Sequence, residues 1–222
     1  MTATATVQAG MTTHPHFISL EGGEGAGKTT VLTALRQALQ AGGKGVVVTR
    51  EPGGTALAES IRALLLDPTQ PPACAESELL LMFAARVQHV HDVIRPALTR
   101  GDWVICDRFT DSSYAYQGAG RGLETAKIER LEQDFVGLRP GLTLLLDLDI
   151  QQGRKRARQR AGTADRIEAE HDDFFERVRA GFRARAAADP ARFRVLDAAQ
   201  PADMVAAAAV HALQAWCAQH ST

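Results

Sequence analysis

One stretch leaves few folds open: residues 17–30, Phe-Ile-Ser-Leu-Glu-Gly-Gly-Glu-Gly-Ala-Gly-Lys-Thr-Thr. Phe17 to Leu20 is a short apolar run of strand character, and a helical pattern begins at Thr30. Between them Gly22, Gly27, Lys28 and Thr29 satisfy G-x-x-x-x-G-K-[ST], the spacing of a phosphate-binding loop. Glycines allow successive N–H groups to turn inward as an anion nest, and the following helix adds its positive end. The loop Gly22, Gly23, Glu24, Gly25, Ala26, Gly27, Lys28 and Thr29 is therefore predicted to hold a nucleotide's phosphates. Lys28 can reach the outer phosphates, and the Thr29 hydroxyl can ligate Mg²⁺.

The chain of 222 residues has a formal net charge of −1, so no global field draws it to nucleic acid or to an anionic membrane. Any positive site must be local. The length suits one domain with a full core. Cys74, Cys106 and Cys217 are odd in number and far apart, which suggests neither a disulfide framework nor a zinc site. Residues 1–13 hold no charged side chain and read as a disordered leader rather than a signal peptide, leaving 14–222 as the single domain. No run approaches the roughly 18 apolar residues of a membrane span. A cytoplasmic protein is expected.

Strands are predicted at Phe17–Leu20, Val46–Val48, Trp103–Cys106, Leu142–Leu148 and Arg194–Leu196. Helices are expected over about 27–41, 56–66, 76–99, 124–137 and 168–188, and again from Pro201. Val46–Val48, continuous and β-branched, suggests a central strand buried on both faces. The alternation predicts an α/β fold of three layers, a five-stranded parallel sheet with helices on both faces. Such sheets bind ligands beyond the carboxyl ends of their strands. Thr49-Arg50-Glu51-Pro52-Gly53-Gly54-Thr55 lies at one such end, and Asp107-Arg108 at another. Asp107 stands where an Mg²⁺-shell carboxylate is placed, and Arg108 can grip phosphate.

On the 76–99 helix, Leu79, Met82, Phe83, Arg86, Val87, Val90 and Ile94 form one stripe, and Pro96 is expected to kink or end it. A cation on an apolar stripe needs a partner, so Arg86 is a candidate ligand contact. His89 and His91 are two apart and face differently, which implies no metal pair. The glycine-rich segment 110–122, with both tyrosines, reads as a loop. Arg154 to Arg160 places five cations in seven residues. It suits a lid over the phosphates (about 154–168), a solvated helix end, or a nucleic-acid patch without aromatics.

The chain contains no asparagine, which excludes an Asn-Lys-x-Asp guanine motif and a protein-kinase catalytic loop. A small kinase with a basic lid fits what remains. Over roughly residues 17–216 the chain resembles the bacterial thymidylate kinases. The resemblance rests on residues 21–30 and 49–55, Met-Phe-Ala-Ala-Arg at 82–86, Asp-Arg-Phe at 107–109, Ala-Tyr-Gln-Gly at 115–118 and Asp-Arg-Ile-Glu at 165–168. It implies transfer of the ATP γ-phosphoryl group to thymidine monophosphate with Mg²⁺, by a homodimer that binds neither nucleic acid nor membrane. It also implies site roles. Phe83 would stack on thymine and Arg86 would hydrogen-bond it, helped by Ser113 and Gln117. Tyr116 would pack on the deoxyribose, near Glu24. Arg50 and Arg108 would hold the acceptor phosphate, with Glu51 beside them, and Asp107 would serve Mg²⁺. Gly25 stands where some members carry an arginine, which implies a catalytic cation from the lid, with Arg160 and Arg166 the candidates. Phe109 and Ser113 depart from residues found in other members. The alternatives are another nucleoside monophosphate kinase, or a nucleic-acid-associated ATPase using Arg154–Arg160.

Overall fold

The computed structural model describes residues 10–159 and 165–220. Its strands are β1 (Thr12–Gly22), β2 (Val46–Arg50), β3 (Trp103–Asp107), β4 (Leu138–Asp147) and β5 (Phe193–Asp197). They form one parallel sheet in the order β2-β3-β1-β4-β5, so the phosphate loop leaves the central strand. That placement puts the β3 turn directly beside it and the β2 turn one strand further out.

Helices α1 (Lys28–Ala41) and α9 (Ala202–His220) cover one face. Val31, Leu35 and Leu39 of α1 and Ala209, Leu213 and Trp216 of α9 pack there on Ile18, Leu20, Leu142 and Leu144. The other face is covered by α3 (Ala75–His89), α4 (Arg95–Thr99), α6 (Thr125–Leu131) and α8 (Asp172–Ala188). The remaining helices are α2 (Ala56–Leu66), α5 (Thr110–Ser113) and α7 (Ile150–Arg158). α2 begins on Thr55, whose side chain accepts from Ala58 N–H. Its limits match the expected 56–66.

Four expectations are corrected. β1 starts at Thr12, not Phe17, and so takes in the last two residues of the expected leader. Thr12–His14 pair with Leu138–Pro140, and the register shifts between His14 and Ile18. Pro15 in that break hid the strand, since proline cannot donate to a ladder. Residues 1–9 lie outside the described residues.

β2 is an edge strand with Val48 38% exposed, not a central one. A β-branched run satisfies either position.

The 76–99 helix does not end at Pro96. A π-helical stretch, Val90–Ile94, joins α3 to α4, with Pro96 in the first turn of α4. A wider turn there accommodates a residue that has no N–H to donate.

Residues 110–122 are largely helical rather than a loop: α5 runs into a π-helix, Tyr114–Gly120. Its small residues serve packing against α8. A Cβ on Gly120 would lie 2.7 Å from the Phe174 ring, and one on Gly181 would lie 2.7 Å from Ala119 Cβ.

Candidate active site

The phosphate loop owes its shape to glycines at positive φ: Gly22 (136°), Gly25 (71°) and Gly27 (91°). Gly27 carbonyl accepts from Thr30 and Val31 N–H and so starts α1. Lys28 Nζ donates to the carbonyls of Gly22 (3.3 Å) and Gly23 (3.1 Å), folding over the loop it will serve. Burial, then the charge of Arg108, pulls its pKa down to about 8, against the attraction of Asp107, Glu21 and Glu24. Gly25 meets α7 back to back. A Cβ on Gly25 would stand 2.2 Å from Gly153 O, and one on Gly153 2.6 Å from Glu24 O. With α7 in this position, no arginine fits at residue 25.

β3 delivers Asp107 and Arg108 to the opposite side. Arg108 is held at φ 71°, the one described non-glycine residue in the left-handed region. Its N–H donates to Leu20 O at 2.9 Å. Glu21, fully buried, receives Phe109 N–H (2.8 Å) and Ser112 Oγ–H (2.6 Å) and so clamps the turn from the far side. Burial raises the Glu21 pKa to about 8, and Asp111 adds to the effect, over the opposing pull of Ser112 and Arg108. The strained turn aims Arg108 across the Tyr116 ring, 5.0 Å from guanidinium carbon to centroid, with Nη1 donating to Ser112 Oγ. Asp107 Oδ1 is buried and, among the described residues, has no hydrogen-bond partner. A buried carboxylate oxygen is rarely left so, and an oxygen of this kind suits a hard cation with its waters. Cys106 is a core residue: its thiol donates to Arg108 O (2.9 Å), and burial pushes its pKa far up.

Between these turns and α3 lies a cleft of about 760 Å³, counting the part open to solvent. Small-molecule sites run about 300–1,000 Å³. Of the residues singled out from sequence, Glu24, Glu51, Arg86, Arg108, Ser113, Tyr116 and Gln117 all line it. Arg86 donates to Glu51, Ser113 and Phe109 O, so Ser113 supports Arg86. Gln117 Nε2 donates to Glu78 at 2.9 Å.

Three expected residues are not on the wall. Phe83 is 3% exposed within the core, its ring 4.7 Å beneath the Arg86 guanidinium; Met82 takes the wall position instead. Met82 stands a full turn, four residues, before Arg86 on the same stripe, a signal the aromatic neighbour obscured. Arg50 points outward to Glu59, and Arg62 from α2 lines the cleft in its stead. Arg166 gives Nη2 to Glu78 (2.8 Å) and Nε to Leu65 O (2.7 Å), so it is not poised at the phosphate loop. Arg160 lies outside the described residues. Two of the α7 cations have partners too: Arg154 pairs with Asp172, and Arg156 donates to Ala198 O.

Sequence reasoning missed Glu21, Arg62, Met82, Glu78 and His89. Glu78, 1% exposed, gathers Gln117 and Arg121 from the end of one helical segment and Arg166 from another part of the chain. Burial pushes its carboxyl up, but those hydrogen bonds and the Arg121 charge prevail and hold it below the usual range. Only tertiary contact brings such donors together.

Comparisons with known proteins point to one family. The family profile described as thymidylate kinase matches residues 20–209. A thymidylate kinase of Alcanivorax borkumensis is 54% identical over 204 residues, covering 90% of this chain and 98% of that one. One of Methylococcus capsulatus is 53% identical over 208 residues, covering 92% and 97%. The crystal structure of thymidylate kinase from Ehrlichia chaffeensis superposes with a TM-score of 0.73 at 34% identity, covering 90% of this chain and 99% of that chain.

Proposed function

The chain belongs to the thymidylate kinase family and transfers a phosphoryl group from ATP to thymidine monophosphate, and we propose how its own residues divide that work. The observation that carries the assignment of parts is one cleft, lined by Arg86, Arg108, Tyr116 and Met82, opening beside the phosphate loop at Glu24. The acceptor lies in that cleft, with its phosphate toward Arg108 and its base toward Arg86 and Met82. Tyr116 flanks the sugar. Arg62 joins Arg108 in holding anionic charge, a role the exposed, Glu59-bound Arg50 can take up only by leaving its partner.

The loop amides and Lys28 hold the ATP phosphates. An acceptor phosphate oxygen forms the new bond to the γ-phosphorus while the bond to the bridging oxygen of ADP breaks. Little covalent work falls to the protein, so positioning and charge carry the catalysis. Thr29 and Asp107 are the residues that would hold Mg²⁺, which when bound neutralises charge between the phosphates. A cation from the lid, with Arg160 the candidate, completes the site because Gly25 offers none. Arg166 instead anchors the lid's far end through Glu78.

Leu64 and Leu80, from the paired helices α2 and α3, are 55% and 58% exposed, and a second copy of the chain is the proposed cover. No described helix is long and apolar enough to cross a membrane. The cysteines are free thiols, which supports a reducing, cytoplasmic setting. Arg154 and Arg156 are spent on protein partners, which argues against a nucleic-acid stripe.

The test is an ADP-release assay with Mg·ATP against a panel of nucleoside monophosphates. Preference for thymidine monophosphate, lost with Arg86→Ala, is expected. Equal turnover of the panel would remove the base pocket and leave only the phosphate chemistry.

A further inference from the structure

Behind the Arg86 wall runs a chain of buried hydrogen bonds that phosphoryl transfer does not itself require. Arg86 gives Nε to Glu51 Oε2 at 2.6 Å, Nη1 to Ser113 Oγ at 3.0 Å and Nη2 to Phe109 O at 3.1 Å. A guanidinium has five N–H groups in a fixed plane, so one on each Nη is left to meet a ligand. The other oxygen of Glu51, Oε1, meets Nδ1 of His89 at 3.0 Å. The far nitrogen of that ring, Nε2, meets Thr49 Oγ1 at 2.6 Å. Side-chain exposure is 3% for Arg86 and Glu51 and 1% for His89, so water does not stand in for any of these partners.

The chemistry sets the direction of the bonds. Glu51, paired with Arg86, is an acceptor only. His89 Nδ1 is then the donor in either charge state of the ring. A carboxylate held by one bond turns freely about its last torsion, because that torsion is broad. Held at both oxygens it presents one plane, and the guanidinium it meets through Nε follows that plane.

We propose that His89 is a positioning residue for the acceptor base: through Glu51 it sets the rotation of the Arg86 guanidinium, and with it which N–H groups face the cleft. The proposal rests on the reading of Arg86 as a base contact. The ring is itself held from two sides. Thr49 takes Nε2, and Gly54 lies flat against the ring edge, where an added Cβ would stand 2.6 Å from Cδ2 and 2.7 Å from Nε2. Thr49 near the end of β2 and Glu51 and Gly54 of the turn that follows thus serve one imidazole, an account of that motif which needs no ligand at Thr49 or Gly54. Ligand atoms of Glu51, His89 and Cys106 also lie within 4.8 Å of one another. Hydrogen bonds already engage each of them, Cys106 to Arg108 O included, so a metal is not needed to explain the cluster.

Two conservative variants separate the ring nitrogens. Asparagine places its amide nitrogen near the position of Nδ1, and glutamine places its own near Nε2. With the full-length enzyme, His89→Asn is expected to keep KM for thymidine monophosphate within about two-fold, and His89→Gln to raise it about ten-fold. In both, kcat and KM for ATP stay near wild type, because uniform binding of the acceptor alone has changed. Equal KM values in the two variants, or effects that track melting temperature, overturn the relay. Should His89→Gln fail to fold, Thr49→Val frees the ring from the other side, and an unchanged KM there overturns it equally. Arg86→Lys tests the premise: an unchanged KM removes Arg86 from the base. A raised KM in that variant beside an indifferent His89→Gln overturns the relay alone.

Discussion

At the residue scale, two charges beside the phosphate loop are held far from their ordinary values, and each has a pH consequence. Glu21 rises to about 8, chiefly through burial, so the folded chain binds this proton more tightly than the unfolded chain does. The sign follows from linkage. The stability it contributes is whole below its unfolded pKa of 4.5 and is lost as pH rises through about 8. Glu21→Gln keeps an acceptor for Phe109 N–H and a donor for Ser112, so it should flatten that decline, a difference on the order of a few kcal/mol near pH 8. Urea unfolding at pH 5 and pH 8 measures it; parallel curves for the two proteins would refute the assignment. Lys28, lowered to about 8, acts on activity instead: kcat/KM for ATP should fall as pH rises past that value, since the free enzyme loses the cation that meets the phosphates. The neighbours Met82 and Phe83 offer a third check. Met82→Ala should raise KM for thymidine monophosphate with little change in melting temperature. Phe83→Ala, a core truncation, should cost about 3–5 kcal/mol of stability. Reversal of that pattern would restore the aromatic ring to the base.

Elements meet at glycines where function needs closeness. α7 reaches the phosphate loop only because Gly25 and Gly153 both lack a Cβ, and the π-helix Tyr114–Gly120 lies on α8 through Ala119 and Gly181. That second contact supports Tyr116 and Gln117 on the cleft wall. Gly181→Ala would bring a methyl group to 2.7 Å from Ala119 Cβ. Overpacking of this kind costs about 1–3 kcal/mol. Here it should also disturb the acceptor side before the ATP side, raising KM for the monophosphate while KM for ATP holds. Thermal melts with both KM values check it, and an unaltered melt would show that the helices can part cheaply. Glu78 ties three segments in the same region, so the cleft wall is joined to Arg166 of the proposed lid.

For the whole molecule, the exposed leucines of α2 and α3 predict self-association: Leu80→Asp should shift the chain from dimer to monomer in light scattering, and a monomeric wild type would dismiss the interface. The sheet and the site differ in how far they could be read from the chain. The phosphate loop, the α/β alternation and the limits of α2 were legible because each rests on local rules: glycine spacing, hydrophobic period, a threonine cap. So were Arg86, Arg108 and Tyr116, each marked by a cation or ring placed against the local pattern or by family motif. The misreadings fall where distant segments decide. Residues 110–122 look like a loop partly because Gly120 serves α8, more than fifty positions away in the chain. Val46–Val48 could be edge or centre until the strand order placed it. Phe83 and Met82 differ by one position on a helix face, and only packing says which ring or thioether the core claims. By itself the sequence determined the phosphate loop and the fold class, since backbone propensity and short-range spacing carry them, and with the family resemblance it named seven of the residues that line the cleft. Tertiary structure alone decided the partners of Glu21, Glu78 and His89, because a buried carboxylate or imidazole is satisfied by whichever donors the fold brings within reach.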